Sequence, residues 1–149
     1  MPTFRPARFE DHVAIRALLV AQGLPSEDVG ASDEDSRFHL VERDGQILGC
    51  AGLEVYGTDA LLRSVAVAPS MRDSGLGRAL VGIAERDAAA IGVQRLFLLT
   101  TAAADYFSRI GYQPCDRNAV PLHVQASAQF SGLCPASAVC MSKELLATN

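Results

Sequence analysis

Residues 65–78, with the sequence VAVAPSMRDSGLGR, constrain the fold most strongly, because they lead a strand through a glycine-containing turn into a helix. Valine and alanine alternate before Pro69, and Gly75 and Gly77 precede an amphipathic run. Glycines at the start of a helix leave backbone N–H groups uncovered, so that several of them can converge on an anion. The helix dipole adds to this attraction. The segment therefore predicts a loop that cradles a phosphate group.

Two other phosphate-binding loops contain similar glycines, but each needs a residue that this segment lacks. The loop of the nucleoside triphosphatases requires a lysine directly after its last glycine, where this chain has Arg78. The dinucleotide-binding fingerprint requires a third glycine, where this chain has Leu80. An ordinary turn between strand and helix is the remaining alternative. The combination of strand, proline, arginine and two glycines favours the phosphate loop over it.

The rest of the sequence alternates between the spacings of strands and helices. The strands are predicted over residues 3–7, 38–43, 47–56, 61–67, 93–99, 112–115 and 136–142. The helices are predicted over residues 10–22, 76–88 and 103–110, with residues 85–87 facing water. Asp44-Gly45 favours a two-residue hairpin turn between the second and third strands. The polar and acidic residues 26–35 predict a loop or a short helix.

Composition and charge limit the class of protein. With 149 residues, 49% of them apolar, the chain can bury the core of one domain, 1–149. A formal charge of −4 argues against binding to nucleic acid, which requires a basic surface. The sequence shows neither an apolar run of about eighteen residues nor a secretory leader, so we expect no membrane association and a cytoplasmic protein.

The cysteines and histidines predict no metal centre. No Cys-x-x-Cys spacing occurs, so reduced thiols are expected at Cys50, Cys115, Cys134 and Cys140. The histidines are isolated from one another, at His12, His39 and His123. No pair has the spacing of metal ligands, and no Ser/His/Asp or Cys/His order supports a hydrolase.

The order Arg-x-x-Gly-x-Gly after Val-x-Val-x-Pro resembles the acetyl-coenzyme A (acetyl-CoA) loop of the GNAT family of N-acetyltransferases, whose backbone amides hold the coenzyme's pyrophosphate. The order of predicted elements resembles that family over nearly the whole chain. The resemblance implies an α/β (α+β) fold, with a mixed, mostly antiparallel twisted sheet of six to seven strands and about four helices. It also implies a splayed, V-shaped central cleft that takes the pantetheine arm.

Positions that match the motifs of this family are implied to bind the coenzyme. The backbone of Val65 and Val67 would meet the pantetheine amides, and Arg72 and Arg78 would neutralise phosphate groups. The full set implied by the resemblance is Val65, Ala66, Val67, Arg72, Asp73, Ser74, Gly75, Leu76, Gly77, Arg78, Thr100, Ala103 and Phe107.

A second signature of the family, Asn-x-x-Ala-x-x-x-Tyr-x-x-x-Gly-Phe, is altered in residues 100–112. Thr100 replaces the asparagine, and Phe107 replaces the tyrosine that often protonates the departing coenzyme sulfur. A thiol has an ordinary pKa of about 8.5, so its thiolate can leave unaided, and one general acid is worth about 10² to 10⁴ in rate. Water or the Thr100 hydroxyl could serve instead. Tyr106, about 100° around the helix, is interpreted as a packing or pocket residue.

Two further resemblances concern the acceptor. Leu-Thr-Thr before a helix that ends in Phe-x-x-x-Gly-Tyr resembles the acetyltransferase domain of N-acetylglutamate synthase. Residues 52–57, 60–67 and 130–141 resemble a small group of arsenic-resistance N-acetyltransferases. Together they imply a small-molecule amine that is similar to an amino acid, such as an arsenical or phosphinothricin-like compound. A homodimer is also consistent with the family.

Two charges interrupt otherwise apolar strands. Glu54 is the candidate for the base that takes a proton from the acceptor amine, and an outward-facing strand residue is the alternative. Arg63 is the candidate to bind an acceptor carboxylate, and pairing with Glu54 on the neighbouring strand is the alternative. The backbone N–H of Val65 would meet the developing oxyanion.

Two classes of function remain open. The first is the N-acetyltransferase, which Glu54 and Arg63 favour. The second is a non-catalytic coenzyme A-binding protein or thiol-based metalloid sensor, which Phe107 favours. Cys134 and Cys140 would supply thiols for trivalent arsenic, but packing as small buried side chains is the favoured interpretation of both.

Overall fold

A seven-stranded sheet forms the centre of the computed structural model, which describes residues 2–26, 29, 36–134 and 137–145. The strands are β1 (Thr3–Pro6), β2 (Ser36–Arg43), β3 (Gln46–Tyr56), β4 (Asp59–Val67), β5 (Arg95–Thr100), β6 (Gln113–Pro114) and β7 (Val139–Glu144). The α-helices of the described residues are α1 (His12–Ala21), α2 (Leu76–Ala90), α3 (Ala104–Arg109) and α4 (Leu122–Gln125). Short 3₁₀ turns cover Phe9–Asp11, Pro69–Met71 and Arg117–Ala119, and a π-helical turn covers Gln129–Leu133.

The fold class predicted from the sequence is confirmed. The strands lie in the order β1-β2-β3-β4-β5-β7-β6, and the sheet is mixed. The predicted helix over residues 10–22 begins instead with the 3₁₀ turn, and the last strand begins at Val139 in the described residues. The predicted loop over residues 26–35 lies outside the described residues except for Ser26 and Val29. Within the described ranges, no helix has both the length and the apolar composition to span a bilayer.

The hairpin between β2 and β3 closes as the sequence predicts. Asp44 and Gly45 have φ values of +54° and +79°, the left-handed conformation that a type I′ turn requires at both central positions. The turn pairs Arg43 with Gln46. Because side chains alternate between the two faces of a strand, this register decides on which face of the sheet each side chain of β3 lies.

The sheet opens between β4 and β5. These strands are parallel and pair only through Asp59–Leu61 of β4, although β4 continues to Val67. β5 instead pairs with β7 along its whole length, as far as Thr100. The carboxyl ends of β4 and β5 therefore diverge and leave the V-shaped cleft that the family resemblance implies.

Helix α2 covers one face of the sheet beside this cleft. Its buried side chains are Leu80, Val81, Ala84 and Ala88. Gly49 on β3 allows a close approach, because a Cβ there would lie 2.9 Å from Leu80 Cδ1 and 3.0 Å from the carbonyl oxygen of Ala66. The absence of a side chain at Gly49 thereby lets α2 pack closely on β3 and on the end of β4.

Two carboxylates of α2 that the sequence places in water are hydrogen-bonded instead, which corrects that prediction. Glu85 accepts hydrogen bonds from Tyr112 Oη at 2.9 Å and from Lys143 Nζ at 3.0 Å. Asp87 accepts a hydrogen bond from Arg37 Nε at 2.7 Å. Helical spacing within α2 cannot show these bonds, because the donors come from distant parts of the chain.

An ion pair ties β1 to the start of α1. Asp11 is 9% exposed and accepts hydrogen bonds from the Arg5 guanidinium at 2.8 and 3.0 Å and from the Arg8 backbone N–H at 2.7 Å. Arg5 also donates to Glu42 on β2 at 2.9 Å. The Arg5 guanidinium lowers the pKa of Asp11 to about 2.

Asp11→Asn is expected to lower the free energy of unfolding by about 2 kcal/mol at pH 7, because ionised Asp11 is stabilised more in the folded than in the unfolded chain. This contribution is complete above the ordinary aspartate pKa of about 4 and is lost as the pH falls toward about 2. Urea denaturation between pH 7 and pH 3 measures it, with Asp105→Asn, at an exposed position, as the control. A difference between wild type and Asp11→Asn that does not shrink with acid would contradict this assignment.

Candidate active site

The segment after β4 forms a turn whose backbone suits an anion. Asp73 and Gly75 have φ values of +64° and +85°, and α2 begins at Leu76. Left-handed residues within a turn form the concave backbone nests that bind anions. Among the described residues, nothing lies within 4 Å of the position that a Gly75 Cβ would take. The turn therefore presents the open helix start that the sequence predicts.

A groove of about 410 Å³ runs from the end of β4 along this turn. The predicted coenzyme residues that line it are Val65, Ala66, Val67, Arg72, Asp73, Gly75, Gly77, Arg78, Ala103 and Phe107. Three others lie elsewhere. The Ser74 hydroxyl donates to the Met71 carbonyl oxygen, Leu76 packs against the apolar cluster that includes Leu48 and Leu80, and Thr100 lines a second cavity. Most of the predicted set therefore lies on one continuous surface.

The absence of a side chain at Gly77 leaves space in the groove at the start of α2. A Cβ on Gly77 would lie 3.4 Å from Val67 Cγ2 and 3.5 Å from Tyr106 Oη, and both of these residues line the groove. These are ordinary contact distances, so the fold can accept a methyl group that would nevertheless occupy part of the groove. A diphosphate needs that space to approach the amides. The residues present therefore fit the phosphate group that the loop sequence implies.

A second cavity, of about 660 Å³, occupies the cleft between β4 and β5. Residues 62–65 of β4 and 98–101 at the end of β5 form two of its walls. Residues 23–25 after α1 and the side chains of Gln129 and Cys134 line its other sides. The divergence of the two strands thus creates room for a small molecule.

The groove and the cavity meet. Val65, Ala103 and Phe107 line both of them. A long ligand with its phosphates at the turn and its arm along β4 would end at these three residues. A second molecule in the cavity would then face the end of that arm, which is the arrangement that a group transfer requires.

The backbone of β4 is irregular beside this junction. Its register with β3 shifts between Cys50 and Gly52, so that Ser64 and Val65 form a bulge. Ser64 has a φ of +55°, and its carbonyl oxygen accepts a hydrogen bond from Cys50 Sγ at 3.2 Å. Burial raises the pKa of Cys50 to about 12, so the thiol keeps the proton that it donates. The Val65 N–H predicted to meet an oxyanion lies at this bulge.

Glu54 and Arg63 pair across β3 and β4. Arg63 Nη1 donates to Glu54 Oε1 at 2.5 Å, and the Tyr56 hydroxyl donates to Oε2 at 2.5 Å. Arg63 is 4% exposed, lies 5.5 Å from the centre of the Phe38 ring, and donates through Nε to Ser64 Oγ. Arg63 lines the cavity, whereas Glu54 is not among the described residues that do so. The predicted cross-strand pairing is therefore present, and the roles as base and carboxylate ligand stay predictions.

Helix α3 places Phe107 at the junction. Its ring is 7% exposed and makes edge contacts with Tyr106 and Tyr112, with ring centres 5.3 and 5.5 Å away. Thr100 Oγ1 accepts a hydrogen bond from the Ala103 backbone N–H at 3.0 Å. The hydroxyl proton of Thr100 can still be donated toward the cavity that Thr100 lines.

Gln129 lines the cavity, although the sequence predicts no site residue in its segment. Gln129 is 6% exposed and accepts a hydrogen bond from Cys134 Sγ at 3.0 Å. Neither strand nor helix spacing marks this segment, so no local signal placed it at the cleft. Tyr106, for which the sequence predicts a packing or pocket role, lines the groove.

The cysteines have other partners than the sequence suggested. Cys134 bonds to Gln129, whereas Cys140 Sγ lies 2.9 Å from Cys115 Sγ. Burial raises the pKa of Cys140 to about 12. In the parts of the chain that the structure describes, no group of three or more His, Cys, Asp or Glu side chains could hold a metal ion.

Comparisons with known proteins agree with this geometry. The chain is 35% identical over 94 residues to an amino-acid acetyltransferase of Aeromonas salmonicida, a match that covers 62% of this chain and 21% of the relative. It is 40% identical over 90 residues to an amino-acid acetyltransferase of Azotobacter vinelandii, which covers 59% of this chain and 21% of the relative. The chain thus matches about a fifth of the length of these relatives.

A solved structure has the same architecture. N-acetylglutamate synthase from Neisseria gonorrhoeae, in complex with coenzyme A and N-acetyl-glutamate, is 25% identical and superposes with a TM-score of 0.82. The superposition covers 98% of this chain and 35% of the synthase chain. The sequence profile described as the acetyltransferase (GNAT) family matches residues 3–112, from β1 to the residue before β6. The chain therefore belongs to the GNAT family of acetyltransferases.

Proposed function

We propose that this protein is an N-acetyltransferase that moves an acetyl group from acetyl-CoA to the amine of a small, amino-acid-like molecule. The observation that supports this most is the meeting of the groove and the cavity at Val65, Ala103 and Phe107. The turn would fix one end of the donor, and the cavity would receive the acceptor. Two findings support acetyl-CoA as the donor. The chain belongs to the GNAT family, and the structurally similar N-acetylglutamate synthase was solved with coenzyme A bound.

The groove would hold the coenzyme through its backbone. Amides of residues 72–78 would face the diphosphate, with Arg72 and Arg78 beside it, and the open edge of β4 at Val65 and Val67 would bond to the pantetheine amides. When bound, acetyl-CoA supplies an activated thioester carbonyl. The groove would direct this carbonyl to the junction with the cavity.

The transfer requires a neutral amine at the junction. Glu54 would take a proton from the acceptor ammonium group through a water molecule, because Glu54 is not among the described residues that line the cavity. Arg63 donates a hydrogen bond to one oxygen of the Glu54 carboxylate and Tyr56 donates to the other, and these two bonds fix the orientation of the carboxylate. The Val65 N–H would stabilise the oxyanion, and the sulfur would leave as a thiolate or take a proton from Thr100 or water.

We infer that the acceptor carries an anionic group as well as its amine. The relatives are named amino-acid acetyltransferases, and the described lining of the cavity contains Arg63, Thr100 and Gln129 but no carboxylate side chain. Such a lining disfavours polyamines, which need anionic partners. An arsenical or phosphinothricin-like amino acid would present the same two groups.

A coenzyme A-binding sensor without turnover is the second candidate. Phe107 supports it, because the junction lacks the tyrosine hydroxyl that often serves as the acid in this family. The thiols do not add to this support, because Cys140, beside Cys115, is 5% exposed and burial raises its pKa to about 12, whereas reactive thiols have lowered pKa values. The two candidates share coenzyme binding and differ in turnover.

Location and assembly belong to the same proposal. We propose a cytoplasmic location, because the four cysteines form no disulfide in the structure and a reducing compartment keeps thiols free. A homodimer is expected from the family resemblance, and light scattering of the purified protein would measure it.

Coenzyme binding is tested first. Saturating coenzyme A is expected to raise the melting temperature of the wild type, since a ligand that binds only the folded state stabilises it. Gly77→Ala should weaken coenzyme binding by about tenfold or more, or about 1.4 kcal/mol, while adding up to about 1 kcal/mol of helix stability.

Gly82→Ala is the matched control, because it makes the same change on α2 beside the flexible end of Arg86, 3.5 Å away. It should stabilise the helix and leave the dissociation constant of coenzyme A unchanged. A wild type that coenzyme A does not stabilise, or a Gly77→Ala variant that binds like Gly82→Ala, would refute the groove as the coenzyme site.

Glu54→Gln is expected to lower kcat/KM for the acceptor by about 10² or more near neutral pH, because the acceptor amine must then lose its proton to water. The deficit should shrink at alkaline pH, where more of the amine is already neutral. Glu85→Gln is the control, since Glu85 also accepts hydrogen bonds from a tyrosine and a cation, but its partners Tyr112 and Lys143, unlike Arg63, are not among the described residues that line the cavity. A pH profile of Glu54→Gln parallel to that of wild type would exclude Glu54 as the base.

A panel of acceptors separates the two candidate functions. Release of coenzyme A should be fastest with amino acids or with arsenical or phosphinothricin-like amino acids, and slower with polyamines and peptide amino termini, because the described part of the cavity lining offers Arg63 and no carboxylate. Coenzyme binding without turnover on any of these amines would favour the sensor.

A further inference from the structure

Tyr106 has a hydroxyl group that the rest of the described chain leaves without a partner. Its Oη is buried and has no hydrogen-bond partner among the described residues. Burial of a hydroxyl without a hydrogen bond is unfavourable, and native proteins pair most such groups. The other two tyrosines both donate, Tyr56 to Glu54 and Tyr112 to Glu85. A bound ligand could therefore supply the hydrogen-bond acceptor that the Tyr106 hydroxyl lacks among the described residues.

The hydroxyl lies against the start of α2. Its oxygen is 3.5 Å from the position of a Gly77 Cβ, and Tyr106 lines the groove together with Val67 and Arg78. Burial raises the pKa of Tyr106, although the charge of Arg78 opposes that rise. The phenol is therefore protonated at neutral pH and able to donate.

Tyr106 lies beside the groove and does not reach the junction with the cavity. It lines the groove and is absent from the described lining of the cavity, whereas its neighbour Phe107 lines both. The thioester is expected where groove and cavity meet. Tyr106 instead lines the groove together with Gly77 and Arg78, which belong to the start of α2.

We propose that the Tyr106 hydroxyl donates a hydrogen bond to the diphosphate of bound coenzyme A. Tyr106 is then a coenzyme-binding residue, and it does not replace the acid that Phe107 lacks. Phosphate oxygens are charged acceptors, and hydrogen bonds to charged groups are stronger than those between neutral groups. This inference rests on the proposed function, because it takes acetyl-CoA as the donor.

Tyr106→Phe tests the proposal, because it removes only the hydroxyl. The melting temperature of the ligand-free variant should equal or exceed that of wild type, since an unpaired buried group is lost. The dissociation constant of coenzyme A and the KM for acetyl-CoA should each rise about tenfold, with kcat at saturation changed by less than about twofold.

Tyr112→Phe is the matched control. It removes the hydroxyl that donates to Glu85, so it should lower the melting temperature and leave the dissociation constant of coenzyme A unchanged. Adenosine 3′-phosphate 5′-diphosphate, which keeps the diphosphate and lacks pantetheine, should lose as much affinity for Tyr106→Phe as coenzyme A does.

Three results would overturn the assignment. The first is equal coenzyme A affinity of wild type and Tyr106→Phe. The second is a pH-dependent loss of kcat at saturating acetyl-CoA, which would make Tyr106 an acid. The third is a loss confined to coenzyme A and absent with the pantetheine-free nucleotide. If the wild type itself binds no coenzyme A, the proposed function fails, and that result is obtained before any variant is compared.

Discussion

The separation of β4 from β5 after three parallel residue pairs is the constraint on which the rest of this structure depends. Beyond Leu61 the backbone of β4 has no strand partner on that side within the described sheet, and an amide-bearing ligand can take the place of the missing strand. The same divergence creates the cavity and brings the turn at the start of α2 to the open edge. Donor and acceptor positions thus follow from one interruption of the sheet.

Features that depend on neighbouring residues could be predicted from the sequence. The Asp44-Gly45 turn, the glycines of the phosphate loop and the apolar stripe of α2 each act through local backbone geometry or helical spacing. The order of these elements, through its resemblance to the GNAT family, implied the fold class that the structure has. Ten of the thirteen proposed coenzyme positions line the groove, because one continuous strand-turn-helix segment carries most of them.

Features that depend on distant parts of the chain could not be predicted in the same way. Spacing placed Glu54 and Arg63 on strands but left open whether they pair, since the answer depends on the register of β3 and β4. The contact of Cys115 with Cys140 depends on the pairing of β6 with β7, and Gln129 reaches the cavity from a segment without periodicity. The unpaired hydroxyl of Tyr106 appears only once α3 is packed against α2 and β4.

The bulge at Ser64 has a consequence for the energetics of the fold. A residue other than glycine held at a positive φ costs about 1 to 3 kcal/mol, and Ser64 keeps this conformation through the Cys50 thiol and the Arg63 side chain. A regular strand at this position would be the more stable choice. The strained backbone at Ser64 therefore lowers the free energy of unfolding, and it holds β4 bent where β4 lines the cavity. Part of the folding stability is spent on a site whose shape exists before any ligand binds.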